Sequence, residues 1–189
     1  MKTVEEEGYQ PLFTGEDLSG WTIQWKGNWE VNDGVIVGRQ DVVEKGDSWL
    51  FTEDAWADFI LKLEFHITPE GNSGVGIRMP KGVEGRPSQY GYEIQINDSD
   101  DQFPTGSIFR HVAASPKVHK MGEWNEMTIE AKGPGIIVHV NGEKVIDASV
   151  ENTREGRIGL QVHGGEEYKD QVVQFRNIRI NLWWRNKAF

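Results

Sequence analysis

The 189-residue chain contains no cysteine. Disulfide stapling is therefore excluded, and cysteine usage says nothing about the redox compartment. No apolar run approaches the roughly 20 residues needed to span a bilayer. The opening stretch MKTVEEEGYQ lacks the apolar core of a signal peptide, so the expectation is a cytoplasmic protein or a chain whose leader has been removed. Positive charge is also short, with 20 Lys and Arg against 30 Asp and Glu and a net charge of −10. Such a surface repels phosphate backbones and anionic lipid, which disfavours nucleic acid and membrane partners. A neutral sugar is indifferent to it. Helical periodicity is scarce throughout.

What is present is alternation. Hydrophobic residues make up 37% of the chain, enough for one domain with a real core. We read a single domain over 1–189, with its core at about 9–181. Segments of period two fall near 29–38, 49–52, 58–68, 73–79, 90–97, 106–110, 125–132, 135–141, 144–147, 157–163 and 172–180. Asn32-Asp33-Gly34 and Asn141-Gly142 are tight-turn signals between them. Many short strands and tight turns predict an all-β antiparallel sandwich or jelly roll. The stretch 98–124, rich in Asp, Pro, Ser and Gly, has no clear period and is long for a plain connection; such loops often bind ligands. The ending NLWWRNKAF carries two Trp beyond the last strand, suited to packing back on the domain or joining a partner.

The polar sides of the strands carry the chemistry. Along 61–67, Lys62, Glu64 and His66 oppose an apolar set. Along 90–97, Glu93, Gln95 and Asn97 oppose Tyr92, Ile94 and Ile96. Along 158–163, Gly159, Gln161 and His163 oppose Ile158, Leu160 and Val162. Along 73–79, Gly74, Gly76 and Arg78 oppose Val75, Ile77 and Met79, and the two glycines leave that face low enough for a ligand to approach the backbone. If these strands share one sheet, Glu64, His66, Arg78, Glu93, Gln95, Gln161 and His163 form one polar floor. Carboxylates and carboxamides suit sugar hydroxyls, which both donate and accept. The competing reading is a solvated sheet whose charges merely pair. Tyr90, Phe103, Phe109 and Trp124 are candidate stacking platforms, or core. Asp98 joins the substrate-binding candidates. No close-spaced His or Cys pair indicates a transition metal. NDSDD (97–101) is oxygen-rich but lacks the EF-hand pattern, so calcium stays open and no cofactor is expected.

Several segments, in this order, resemble the 3-keto-disaccharide hydrolase domain family: LFTGEDLSGW (12–21), WEVNDGVIVG (29–38), DFILKLEFHITPEGNSGVGIRMP (58–80), YEIQIND (92–98), GEWNEMTIEAKG (122–133) and GRIGLQVHGGEEYKDQVVQFRNIRI (156–180). The pairing of EGNSGVGIR with GLQVHG is the specific part. The resemblance implies a concanavalin A-like sandwich with a concave ligand face, a periplasmic or secreted location, and a saccharide substrate already oxidised at C3. A C3 ketone acidifies the C2 proton, so a base can remove it and the C1 substituent leaves by β-elimination. Within that reading Glu93 is the base, His163 the acid or proton shuttle, and Arg78 with Gln95 or Gln161 the holder of the enolate oxygen. Glu64, His66, Asp98, Tyr90 and Phe109 contact substrate.

Three alternatives stand beside it. A non-catalytic carbohydrate-binding module would use the same face, since fold does not decide function. A conventional glycoside hydrolase on this fold needs a pattern like E-x-D-x-x-E; here the middle acid is Gln95 and the spacing to Asp98 is off. A structural or interaction domain would leave the polar face unexplained.

Overall fold

In the computed structural model, residues 6–41, 46–83 and 85–182 are described. The Trp-containing ending beyond 182 lies outside them. Among the described residues, thirteen strands form two antiparallel sheets. The larger holds β11 (Glu143–Ser149), β10 (Gly135–Val140), β9 (Asn125–Lys132), β6 (Phe59–Ile67), β13 (Val173–Asn181), β4 (Val35–Arg39) and β3 (Asn28–Asn32) in that order, with β1 (Tyr9–Pro11) also pairing with β13. The smaller runs β2 (Trp21–Gln24), β5 (Ser48–Thr52), β12 (Arg157–Val162), β7 (Ser73–Met79) and β8 (Tyr92–Ile96). The expected all-β sandwich is what forms.

Alternation sets the two layers. Every second residue of β6, from Phe59 to Ile67, is buried against the other sheet. Leu50, Val75, Ile77, Ile94, Ile158 and Leu160 meet them from the smaller sheet. The two turn signals close hairpins: Asp33 and Gly34 sit at φ 50° and 80°, Asn141 and Gly142 at 51° and 84°. Positive φ at both central residues matches the twist of paired strands, and Asn, Asp and Gly tolerate it. Residues 106–110, read as a strand, instead form a turn beside β8, joined to it by an Ile94–Ile108 bridge.

The outer face of the smaller sheet is not uniformly polar. Trp49 and Phe51 stack at 5.6 Å and form a second buried apolar cluster with Met79, against which Val83 packs. The connection from β7 to β8 ends in one helical turn, α1 (Pro87–Tyr90), and crosses this face: a Cβ at Gly76 would lie 2.5 Å from the Pro87 ring. Half of the outer face is thereby roofed, and a hollow remains beside it.

Candidate functional site

Register brings β12, β7 and β8 side by side. Gly159 pairs with Gly76, and Gly74 and Gly76 pair with Gln95 and Glu93. Three of the expected side chains therefore rise next to one another: Glu93, Gln95 and Gln161. With His163, just past β12, they line a hollow of about 120 Å³. Gly74 leaves room beside two of these side chains: a Cβ there would come within 3.0 Å of a Glu93 carboxyl oxygen and 3.4 Å of Gln161 Oε1. The glycine's missing side chain is the space that the Glu93 carboxyl occupies.

Besides Phe109, five further residues complete the lining: Asp47, Asn72, Arg86, Ser88 and Arg110. None was read from the sequence as a site residue. They lie in connections, where alternation gives no direction. Asp47 accepts from Gln161 Nε2 at 3.2 Å and pairs with Arg86 Nε at 3.2 Å, while His163 Nε2 stands 3.8 Å away. His163 Nδ1 lies 2.7 Å from the Gly164 carbonyl, so that nitrogen carries the hydrogen; its ring packs edge-on against Tyr168. In the neutral ring Nε2 is then an acceptor.

Glu93 is only 4% exposed. Burial, then the nearby Asp47 carboxylate, push its pKa from 4.5 up to about 7, against the opposing pull of the Ser88 hydroxyl, Arg86 and Gln161. Loss of hydration disfavours the anion, and a second negative charge adds to it. Glu93 thus exchanges a proton near neutrality. Around it, Asn72 Oδ1, Gln95 Oε1 and Gln161 Oε1 are buried without a hydrogen-bond partner among the described residues. Three unsatisfied acceptors on one hollow are a costly arrangement for a plain structural surface.

The other expected residues lie elsewhere. Arg78 is a correction. β7 carries one extra residue against β12 between Gly76 and Met79, and Arg78 sits at φ 56° in this bulge. A bulge breaks the alternation, so Met79 takes the outer face and Arg78 turns away from the hollow. Its guanidinium is fully buried and donates to the carbonyls of Ala57 (3.0 Å), Asn152 (2.9 Å) and Gly133 (2.8 Å), with Asp58 at 3.6 Å. It staples three connections together.

Glu64 and His66 are a second correction, because β6 belongs to the larger sheet. Arg176 Nε donates to Glu64 at 2.7 Å, Asn177 Nδ2 donates to its other oxygen, and His66 Nε2 meets the Gly122 carbonyl at 3.1 Å. Trp124 packs there too, under the Arg176 guanidinium at 3.9 Å, and not at the hollow. Asp98 accepts from the Thr105 backbone and pairs with His119 at 3.2 Å, tying down the long loop. Burial pushes its carboxyl up, but the His119 and Thr105 hydrogen bonds prevail and hold it below the usual range. Tyr90 is half-exposed at the end of α1 and does not line the hollow. Phe109 does line it. The rest of NDSDD spends oxygens on its own loop: Asn97 on the Ser99 and Asp100 amides, Asp100 on those of Gln102 and Phe103. Among the described residues no three His, Asp or Glu converge as a metal site, and no helix is long and apolar enough to cross a membrane.

The two sheets form a concanavalin A-like sandwich with a polar hollow on the outer face of the smaller one. The chain belongs to the 3-keto-alpha-glucoside-1,2-lyase-like domain family, matching it over residues 8–181. Two structures of glycosyl-hydrolase candidates from Parabacteroides distasonis ATCC 8503 are similar. One is 25% identical with a TM-score of 0.79, covering 96% of this chain and 99% of that one. The other is 27% identical with a TM-score of 0.67, covering 92% and 98%. The carbohydrate binding module CBM66 from Bacillus subtilis shares the fold at 22% identity and a TM-score of 0.65, over 86% of this chain and 96% of that one. No curated protein sequence matches the chain.

Proposed function

We propose that the protein cleaves 3-keto-glycosides by β-elimination followed by hydration. The observation that carries this reading is Glu93: a buried carboxyl lining a polar hollow of about 120 Å³, holding its proton to about pH 7. A general base works best when its pKa lies near the working pH. The family description, a lyase acting across C1 and C2 of a keto-glucoside, supports the same chemistry.

In the first step Glu93 takes the C2 proton, and the C2–H electrons delocalise onto the C3 oxygen. Arg110, which lines the hollow, takes the enolate-holding role in place of Arg78; a fixed cation lowers the energy of a developing oxyanion. The enolate then collapses to a C1–C2 double bond, and the C1–O bond breaks with its electron pair going to the leaving oxygen. In the second step water adds to C1 of the enone, His163 Nε2 accepts the water proton, and Glu93 returns its proton to C2. His163 passes its proton to solvent, and the departed anion takes one up from solvent, which closes the cycle. The sum is one glycoside plus one water giving keto-sugar plus alcohol. The free oxygens of Asn72, Gln95 and Gln161 receive the sugar hydroxyls. A periplasmic or secreted location belongs to the same reading, and cell fractionation tests it.

The experiment is to incubate purified protein with a 3-keto-glucoside and its unoxidised parent. Cleavage of the keto compound alone is expected. Cleavage of both would indicate ordinary hydrolysis. Binding of the sugar without cleavage of either would make the hollow a recognition module, a role the fold also hosts.

A further inference from the structure

The hollow does not end at Phe109. A second, more open trough of about 410 Å³ lies beyond it, lined by Asp100, Gln102, Phe103, Phe109 and Arg110. Phe109 and Arg110 line both spaces. They are held against the strand that carries Glu93: the Phe109 amide donates to the Glu93 carbonyl at 2.8 Å. Phe103 meets Phe109 edge to face at 5.6 Å, and the Arg110 guanidinium stands 5.2 Å from the Phe109 ring centre. The Asp100 carboxylate fixes Phe103 by accepting from the Gln102 and Phe103 amides.

We propose that this trough is the leaving-group subsite and that it takes a phenolic aglycone; the proposal rests on the elimination reading above. A bond whose sugar sits over Glu93 and whose aglycone lies against Phe103 has its scissile oxygen beside Arg110. His163 follows β12, two strands away from β8, so the trough lies on the opposite side of the sugar from it. The trough itself offers a carboxylate, which only accepts, and an amide and a guanidinium, neither of which is an acid. A sugar or alkyl alkoxide would need a proton as it departs. A phenol, ionising near ~10 as tyrosine does, departs as phenolate beside a permanent cation. Its ring then stacks on Phe103 and Phe109, a contact that changes affinity a few-fold to about tenfold.

The test compares phenyl and methyl 3-keto-glucosides with wild type and Phe103→Leu, which keeps apolar volume but removes the ring, with Phe103→Ala as a second variant. The phenyl compound should lose about tenfold in kcat/KM while the methyl compound changes less than twofold. Equal loss on both, or no loss on the phenyl compound, overturns the subsite. If wild type cleaves neither, the elimination reading fails instead. The dissociation constants of the same two compounds then decide: weakening confined to the phenyl compound supports the subsite, and weakening of both or neither overturns it.

Discussion

On β6, Lys62, Glu64 and His66 alternate with core residues; on β8, Glu93 and Gln95 do the same. Both sets face away from the core, one from each sheet. On the larger sheet Glu64 is held by Arg176 and Asn177, Lys62 donates to Glu6 at 2.6 Å, and His66 Nε2 meets the Gly122 carbonyl, although its buried Nδ1 has no partner among the described residues. On the smaller sheet the connection through Pro87 and the loop ending at Arg110 close over the strand, burying Glu93 and leaving the carboxamide oxygens of Gln95 and Gln161 unmatched. The same residue types therefore make a largely paired surface in one place and a hollow with several free acceptors in the other. What separates them is whether protein groups have used up the hydrogen-bonding capacity.

The sharpest way to break this comparison is to neutralise one acid on each face. Glu93→Gln should lower turnover of a 3-keto-glucoside by 10²- to 10⁴-fold, the usual contribution of a positioned base, while Glu64→Gln should stay within about twofold of wild type. Comparable losses would mean that the two faces are not functionally distinct. In wild type the rate should rise as pH passes through about 7, because the base acts deprotonated; a flat profile from pH 6 to 8 would remove Glu93 from that role.

Next in size is Arg78, the residue that the bulge moved from site to staple. Arg78→Met leaves three part-buried carbonyls without their donor and Asp58 without its ion-pair partner, a loss of about 3 kcal/mol, or roughly 10 °C in Tm for a chain of this size. Thermal unfolding measures it. A variant that stays stable but loses turnover would return Arg78 to the site.

Stability against pH sharpens the contrast further. Folding raises the Glu93 pKa from 4.5 to about 7, so the native state holds this proton more tightly than the unfolded chain. The linked stability is fully present below about pH 4.5 and is lost as pH rises through about 7. Glu93→Gln cannot ionise. Relative to wild type it should gain on the order of 3 kcal/mol between pH 4 and pH 8, read by urea unfolding. The smallest effect belongs to Glu64→Gln, whose partly exposed ion pair with Arg176 contributes about 1 kcal/mol or less.

Much of this was legible before any coordinates. Alternation marks Glu93, Gln95 and Gln161 as outward-facing, and the long aperiodic stretch at 98–124, of a length that often binds ligands, brings Phe109 to the hollow. Two kinds of error were not legible. Alternation assigns a residue to one side of its own strand but not a strand to a sheet, so β6 lent Glu64 and His66 to the wrong surface. Alternation also assumes unbroken pairing, and a single extra residue in β7 redirected Arg78. Asp47 and Arg86, from opposite ends of different connections, carry no periodic signal at all.

Residue order alone settled the all-β character, the hairpin turns and, wherever pairing is unbroken, the side of a strand that faces away from the core, because all three depend on neighbours one or two positions apart. Which outward sides adjoin, which are roofed, and how far a buried carboxyl is driven from its ordinary ionisation depend on strand order, a bulge and the approach of distant loops. Those are contacts between residues tens of positions apart, and only the folded chain brings them within hydrogen-bonding distance.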